Sequence, residues 1–392
     1  MPTSLLHAAI IRIVNRARTA VIGAGPAGLA AAAMLKRSGV PAVVLERAPH
    51  VGESWRRQYE RLSLHTTRAL SDLPGLPFPR RHGRWVPRDG VVAYLEEYAA
   101  RHALEVHFDT EVERLERAPG GWLLSTSRGE VEAPRVVVAT GYNRDPFVPD
   151  WPGRERFAGE LIHSSAYRSA APYRGREVLV VGAGNSGAEI AVDLLEGGAS
   201  RVLIAVRTPP HIVPRQALGV PAQVVGIGIR RLPPAVGDRV VAVLQRVLVG
   251  DLSRFGMPKA GGGFYSDFLG RDVVPTLDVG LIGLLRRRAV HVVAAVDSFE
   301  RSAVVLDDGS RVSPHAVVAA TGYRRGLEPL VGGLGVLEAN GRPSVHGART
   351  HPKAPGVYFL GYTNPISGNL RELGIGARRL ARAIAKDTQG RS

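Results

Sequence analysis

The sequence contains no cysteine. Disulfides, thiolate metal sites and a redox-active thiol pair are therefore excluded, and with them thiol–disulfide exchange as the chemistry of the chain. No metal site is expected. Lysine is almost as scarce: only Lys36, Lys259, Lys353 and Lys386 stand among 51 basic residues, and the net charge is +16. The arginines are scattered, without a long basic run or interleaved aromatics, so nucleic acid is not expected as a partner. GC-rich, bacterial coding accounts for the arginine excess, and the positive field would attract anionic ligands. No apolar run approaches the roughly 20 residues needed to cross a bilayer, so stable membrane insertion is not expected and a cytoplasmic location is. Leu5 to Val14 is apolar with Arg12, Arg16 and Arg18 around and behind it. It lacks the basic region and cleavage site of a signal peptide. Residues 1–17 read as an extension, either floppy or an amphipathic helix.

What is abundant is glycine, 46 residues in 392, and two clusters of it are alike. Gly23-Ala-Gly25-Pro26-Ala27-Gly28 follows the apolar run Thr19 to Ile22 and opens an alanine-rich stretch from Pro26 to Arg37. Gly182-Ala-Gly184-Asn185-Ser186-Gly187 follows Glu177 to Val181 and opens Ser186 to Leu195. Each is a strand, a tight glycine turn and a helix whose first N–H groups face a pyrophosphate. One such motif is weak; two in strand–turn–helix context point to two dinucleotides and to electron transfer between them.

The residues after the next strand differ. Glu46 ends the strand Pro41 to Leu45, where a carboxylate accepts ribose hydroxyls and repels a 2′-phosphate. The first site thus suits FAD or NAD, with Arg47 beside the acid. In the second copy the strand Arg201 to Val206 is followed by Arg207, whose guanidinium suits a 2′-phosphate. The second site reads as NADPH, with Arg207 as an ordinary surface arginine the alternative. A longer repeat supports the layout. Leu104 to Gly141 and Val290 to Gly322 each read as strands and hairpins, with turns at Gly120-Gly121 and Asp308-Gly309. They end in Ala139-Thr140-Gly141-Tyr142 and Ala320-Thr321-Gly322-Tyr323, where small residues let the chain pass close to a cofactor. The expected fold is α/β, with two Rossmann-like dinucleotide-binding domains. The FAD domain would comprise 18–170 and 291–386. The NADPH domain, 171–290, would be inserted in it, with an apolar helical segment at 220–252 broken at Pro233-Pro234.

Before the second fingerprint lies Phe157-Ala-Gly159-Glu-Leu-Ile-His163-Ser-Ser-Ala-Tyr167. It is similar to FxGxxxHxxxY/F, the identifying motif of the flavin-containing monooxygenases. Ser54-Trp55, Tyr59-Glu-Arg-Leu62-Ser-Leu-His65-Thr66-Thr67-Arg68, Leu73 to Pro79, His211 to Pro214 and Thr276 to Gly280 resemble the YUCCA branch, the indole-3-pyruvate monooxygenases. The resemblance runs from about Thr19 to Lys386. Asn364-Pro-Ile-Ser-Gly-Asn369, near the expected flavin end, departs from the plant pattern.

The resemblance implies that NADPH reduces FAD, that O₂ then gives a C4a-hydroperoxyflavin, and that one oxygen passes to a small organic substrate. Oxidative decarboxylation of a 2-oxo acid such as indole-3-pyruvate is the leading expectation. N- or S-oxygenation of a secondary metabolite is a second reading, and an NADPH oxidase or non-catalytic flavin module a third. The resemblance places Ser54, Trp55 and Thr66 along the flavin, Ser186, Gly187 and Arg207 on NADPH, and His65 at the reacting junction, where a donor steadies the oxygenated flavin. A satisfied structural histidine is the alternative for His65. His163 reads as structural or hinge-like, and the 220–252 segment as a border of the substrate entrance or as ordinary packing.

Overall fold

The structure is a computed structural model that describes residues 18–271 and 274–389. The 1–17 extension lies outside the described residues. Two compact units are present. The first comprises the chain up to Arg56, Arg68–Asp145 and the chain from Tyr323; the second comprises Arg57–Thr67 and Pro146–Gly322.

In the first unit Thr19–Ile22 is wholly buried, and its β-branched and small residues make it the middle strand of a five-stranded parallel sheet. Ala42–Leu45 pairs on one side and Arg135–Val138 on the other, with Val106–His107 and Val357–Phe359 outermost. The helix Pro26–Arg37 starts at a proline in its first turn, ends at Ser38, and buries nine consecutive residues from Ala27 to Leu35. Burial on every side follows from its near-continuous alanine and leucine. The helix Asn369–Gln389 packs along it. Val112–Ala118, Gly121–Thr126 and Gly129–Ala133 form a separate antiparallel sheet whose first turn holds the expected Gly120.

The second unit repeats this plan. Glu177–Val181 is the middle strand, between Arg201–Ala205 and Ala316–Ala319, with Val290–Val293 and Glu160–His163 outermost, all parallel. The antiparallel companion is Val296–Phe299, Val304–Leu306 and Arg311–Val312. The second unit is therefore wider than the expected 171–290. Glu160–His163 and Ala316–Ala319, assigned from sequence to the FAD domain, pair into the second sheet instead. The reason is strand pairing: each Ala-Thr-Gly strand pairs with the central strand of its own copy, as Val136 does with Ala20 and Val317 with Leu179.

The apolar segment forms the helices Ala222–Ile229 and Pro234–Leu248, broken at Pro233-Pro234 as its prolines require. The second helix buries only Gly237 and Val241, while Val236, Val240, Val243 and Val247 are exposed.

Candidate dinucleotide and oxygenation site

The two glycine turns are near copies. Gly23 and Gly182 both sit at φ +105, a left-handed conformation that L side chains rarely adopt. A Cβ there would meet the carbonyl oxygen of Ala139 at 2.7 Å or of Ala320 at 2.6 Å. A Cβ on Gly28 or Gly187 would lie 1.8 or 1.9 Å from the carbonyl oxygen of Gly23 or Gly182. Gly25 and Gly184 are different: a Cβ at either meets nothing within 4 Å. These two glycines are the N-caps of their helices, and neither supplies a side-chain cap. The first helical N–H groups thus face open space at the positive end of a helix dipole, which suits an anion. Gly141 and Gly322, the ends of the Ala-Thr-Gly turns, have φ +95 and +87 and equally open space. The backbone of both units therefore fits a dinucleotide pyrophosphate. Asn185, expected at the second site, opens its helix, but its side chain is engaged elsewhere. Its Nδ2 donates to the Pro275 carbonyl at 2.9 Å and its Oδ1 accepts from Leu277 N–H at 2.8 Å.

Glu46 is buried at the end of the second strand of the first unit. Its Oε2 accepts from Ala24 N–H at 2.5 Å and its Oε1 from Ala48 N–H at 2.9 Å. A carboxylate has about four acceptor sites, so each oxygen keeps capacity for a ribose hydroxyl. Glu46 also lines a cleft, open to solvent, with Gly23, Arg47, Thr110, Glu111, Thr140 and Arg144. Thr110, Glu111 and Arg144 were not legible from sequence because they arrive from separate strands and loops. Arg144 reaches Glu111 at 3.2 Å, and Arg47 lies 3.7 Å from the same carboxylate. Thr140 is tied to Tyr362, whose hydroxyl lies 2.8 Å from Thr140 Oγ1; burial pushes the Tyr362 phenol up to about 12. Asn364 carries a buried Nδ2 with no protein partner. An orphaned donor of that kind is what a site for a carbonyl-bearing ring system leaves in the protein alone. Ser54 is exposed and Trp55 half-buried, both on the short helix Glu53–Arg56.

Register sharpens the comparison of the two acid positions. Ile22 pairs with Leu45 and Val181 with Ala205, so Val206, not Arg207, occupies the place of Glu46. Val206 is buried and Arg207 is exposed one residue beyond it. The second site therefore lacks a ribose acid and presents a guanidinium next to an apolar residue.

The Phe157 to Tyr167 motif is held by its own side chains. Phe157 packs edge-on against Phe299, with ring centroids 5.3 Å apart. A Cβ on Gly159 would lie 2.6 Å from the Phe157 ring and 2.9 Å from the His315 carbonyl oxygen. His163 donates from Nε2 to the Gly322 carbonyl at 3.0 Å and accepts at Nδ1 from Ser165 N–H at 3.1 Å. Burial holds its imidazole below the usual range despite that carbonyl. Tyr167 donates to Asp193 at 2.7 Å and stacks on Tyr173; burial, then Asp193, raises its phenol. Thr321 donates through Oγ1 to the Phe147 carbonyl, and Phe147 N–H donates to the Gly322 carbonyl at 3.0 Å. The motif thus braces the second Ala-Thr-Gly turn from within its own unit.

His65 and Thr66 lie on the Arg57–Thr67 segment, which belongs to the second unit. His65 Nε2 is paired with Glu189, whose other oxygen accepts from the Tyr59 hydroxyl at 2.9 Å. Tyr59 and Glu189 were missed from sequence. The available signal was Glu189 standing between Ala188 and Ile190-Ala191-Val192 in the helix after the second glycine turn.

Comparison with known proteins gives consistent findings. Residues 20–215 match the family model described as pyridine nucleotide-disulphide oxidoreductase. The chain is 37% identical over 351 residues to indole-3-pyruvate monooxygenase YUCCA1 of Oryza sativa subsp. japonica, covering 88% of this chain and 86% of that protein. It is 33% identical to the probable indole-3-pyruvate monooxygenase YUCCA4 of Arabidopsis thaliana, covering 88% and 84%. Among solved structures, the flavin-containing monooxygenase from Stenotrophomonas maltophilia superposes with a TM-score of 0.71 at 25% identity, covering 95% of this chain and 98% of that one. The absence of cysteine separates the chain from the disulfide chemistry in the family model's description. The named curated relatives are plant proteins, which leaves the bacterial source suggested by arginine usage without support. Among the described residues no helix is long and apolar enough to cross a membrane, and no cluster of side chains is arranged to hold a metal.

Proposed function

The chain belongs to the flavin-containing monooxygenases, as an NADPH-dependent flavin monooxygenase similar to the YUCCA type, and from that premise we propose that it oxidatively decarboxylates a 2-oxo acid such as indole-3-pyruvate. The observation that carries the substrate class is the 37% identity to the rice enzyme, sustained over 88% of the chain. FAD would lie on the first glycine turn with its ribose on Glu46, and NADPH on the second with its 2′-phosphate on Arg207. When bound, FAD supplies the redox chemistry, accepting a hydride from NADPH and activating O₂. The chain's own residues bind and orient. Gly25 and Gly184 leave room for the pyrophosphates, and the helix N-termini offset their charge. Ser54, Trp55 and Thr66 would line the flavin, Ser186 and Gly187 would hold the nicotinamide cofactor, and His65 would act at the reacting junction. His163 braces and does not shuttle protons. The exposed face of Pro234–Leu248 borders the substrate entrance.

The reaction consumes one 2-oxo acid, one O₂, one NADPH and one proton. It yields the acid one carbon shorter, CO₂, NADP⁺ and water. Product analysis with indole-3-pyruvate against a panel of amines and sulfides tests it. Indole-3-acetate and CO₂ formed in step with NADPH consumption are expected. An N-oxide or sulfoxide as the sole product would move the chain to heteroatom oxygenation, and H₂O₂ equal to NADPH with every substrate would make it an oxidase.

A further inference from the structure

The geometry points to Glu189 as the positioning residue of His65, with Tyr59 holding the carboxylate in place. Glu189 is the fifth residue of the helix Asn185–Glu196 and is 2% exposed among Ala188, Ile190, Ala191 and Val192. A carboxylate buried in such surroundings is costly unless its oxygens are satisfied. Both are: Tyr59 donates to Oε2 at 2.9 Å and His65 Nε2 engages Oε1. Arg61 and Arg215 lie near enough to feel the charge.

The backbone around His65 is tethered on both sides. Glu60 N–H donates to the Arg168 carbonyl at 2.9 Å, Arg215 reaches Ser63 Oγ at 3.1 Å, and Thr67 N–H donates to Gln223 Oε1 at 2.9 Å. Those contacts fix where the ring starts; Glu189 fixes how it turns. An ionised carboxylate only accepts, so the Nε2 facing it carries the proton. That leaves Nδ1 as the ring nitrogen free of Glu189, and a single tautomer and orientation for whatever His65 serves. A carboxylate behind a working imidazole has this effect in hydrolytic triads. A hydrophobic residue at 189 would fill the same space without choosing a tautomer.

This inference rests on the proposed role of His65 only for its functional arm, and two measurements separate the two. The first needs no cofactor. In the chain labelled with ¹⁵N-histidine, with the His65 signals identified by comparison with His65→Gln, neutral His65 is expected as the Nε2–H tautomer. Glu189→Gln, whose amide both donates and accepts, is expected to populate the other tautomer, whereas Tyr59→Phe keeps the carboxylate and the Nε2–H form. The second uses the FAD-loaded enzyme with NADPH and indole-3-pyruvate. Glu189→Gln is expected to cut product formed per NADPH by about tenfold or more, with H₂O₂ making up the balance. Flavin reduction under nitrogen should fall far less. His65→Gln should behave alike, and the double variant should be no worse than either single one. An Nδ1–H tautomer in the unsubstituted chain, or losses that multiply in the double variant, would overturn the assignment. If the unsubstituted enzyme forms no oxygenated product, the functional reading fails and the tautomer measurement alone decides the role of Glu189. If Glu189→Gln does not fold, the unsubstituted and Tyr59→Phe spectra decide it.

Discussion

At the scale of single residues, the side chains placed just after two equivalent strands differ in charge and burial. Glu46 is held by two backbone N–H groups before any ligand arrives. Glu46→Ala strands both donors in a buried place and should lower stability by about 1–3 kcal/mol, read by urea unfolding of the chain without FAD. No change there would show that the carboxylate serves only the ligand. At the second site the acid is replaced by buried Val206, with Arg207 exposed beside it. A hydrogen-bonded charge pair is worth about 1.5–3 kcal/mol. Arg207→Ala should therefore raise the KM for NADPH at least about tenfold while leaving NADH nearly unchanged. Equal losses for both cofactors would show that Arg207 does not read the 2′-phosphate.

At the scale of elements, each strand–turn–helix carries two kinds of glycine, and the sequence motif does not distinguish them. Gly28 and Gly187 have no room for a methyl group; Gly25 and Gly184 have ample room. Gly28→Ala and Gly187→Ala should give unfolded or aggregated protein. Gly25→Ala should fold, by circular dichroism, yet fail to retain FAD. Gly184→Ala should retain FAD and lose NADPH reduction. A folded Gly28→Ala chain would refute the packing argument. The helix Pro234–Leu248 makes a different case, since Val243 and Val247 are 61% and 75% exposed. Replacing both with serine should change stability by less than about 0.5 kcal/mol per site. If the face borders the entrance, the KM of the organic substrate alone should rise; an unchanged KM would place the entrance elsewhere.

At the scale of the whole molecule, histidines with desolvated rings contribute to acid sensitivity. Desolvation lowers the partly buried His82 and His102 and the buried His163 below their ordinary value of 6.5. In each, the neutral form belongs to the fold, and the unfolded chain takes up the proton first. Their contribution is thus fully present above about 6.5 and is lost as the pH falls through the lower folded values. Urea unfolding free energy should decline from pH 7 toward pH 5, and His163→Gln should flatten part of that decline. An unchanged pH profile in His163→Gln would mean its imidazole ionises as readily folded as unfolded. The +16 charge adds a second dependence. Rising salt should weaken NADPH more than NADH, because NADPH carries the extra phosphate into the positive field.

Much of this was legible in the linear chain because it depends on local chemistry. Thr19 to Ile22 and Glu177 to Val181 read as buried strands and are strands over those same residues. Pro26 to Arg37 read as a helix with its proline start, and the two turns announced themselves because only glycine fits Gly23 and Gly28. Phe157, Gly159, His163 and Tyr167 were legible as a signature, but not as a brace. Their partners, Phe299, Gly322 and Asp193, are fixed by folding. The domain boundary failed for the same reason. Strand pairing is a long-range choice, and nothing in Ala316–Ala319 says which sheet it will join. By itself, then, the sequence determined that the chain has two dinucleotide turns, one followed by an acid and one not, and no thiol chemistry. Only the tertiary structure decided that Val206 stands where Glu46 does, and that Glu189, buried in its helix, meets Tyr59 and His65 from 130 and 124 residues away. A buried charge must find its partners, and those partners exist only once the chain has folded.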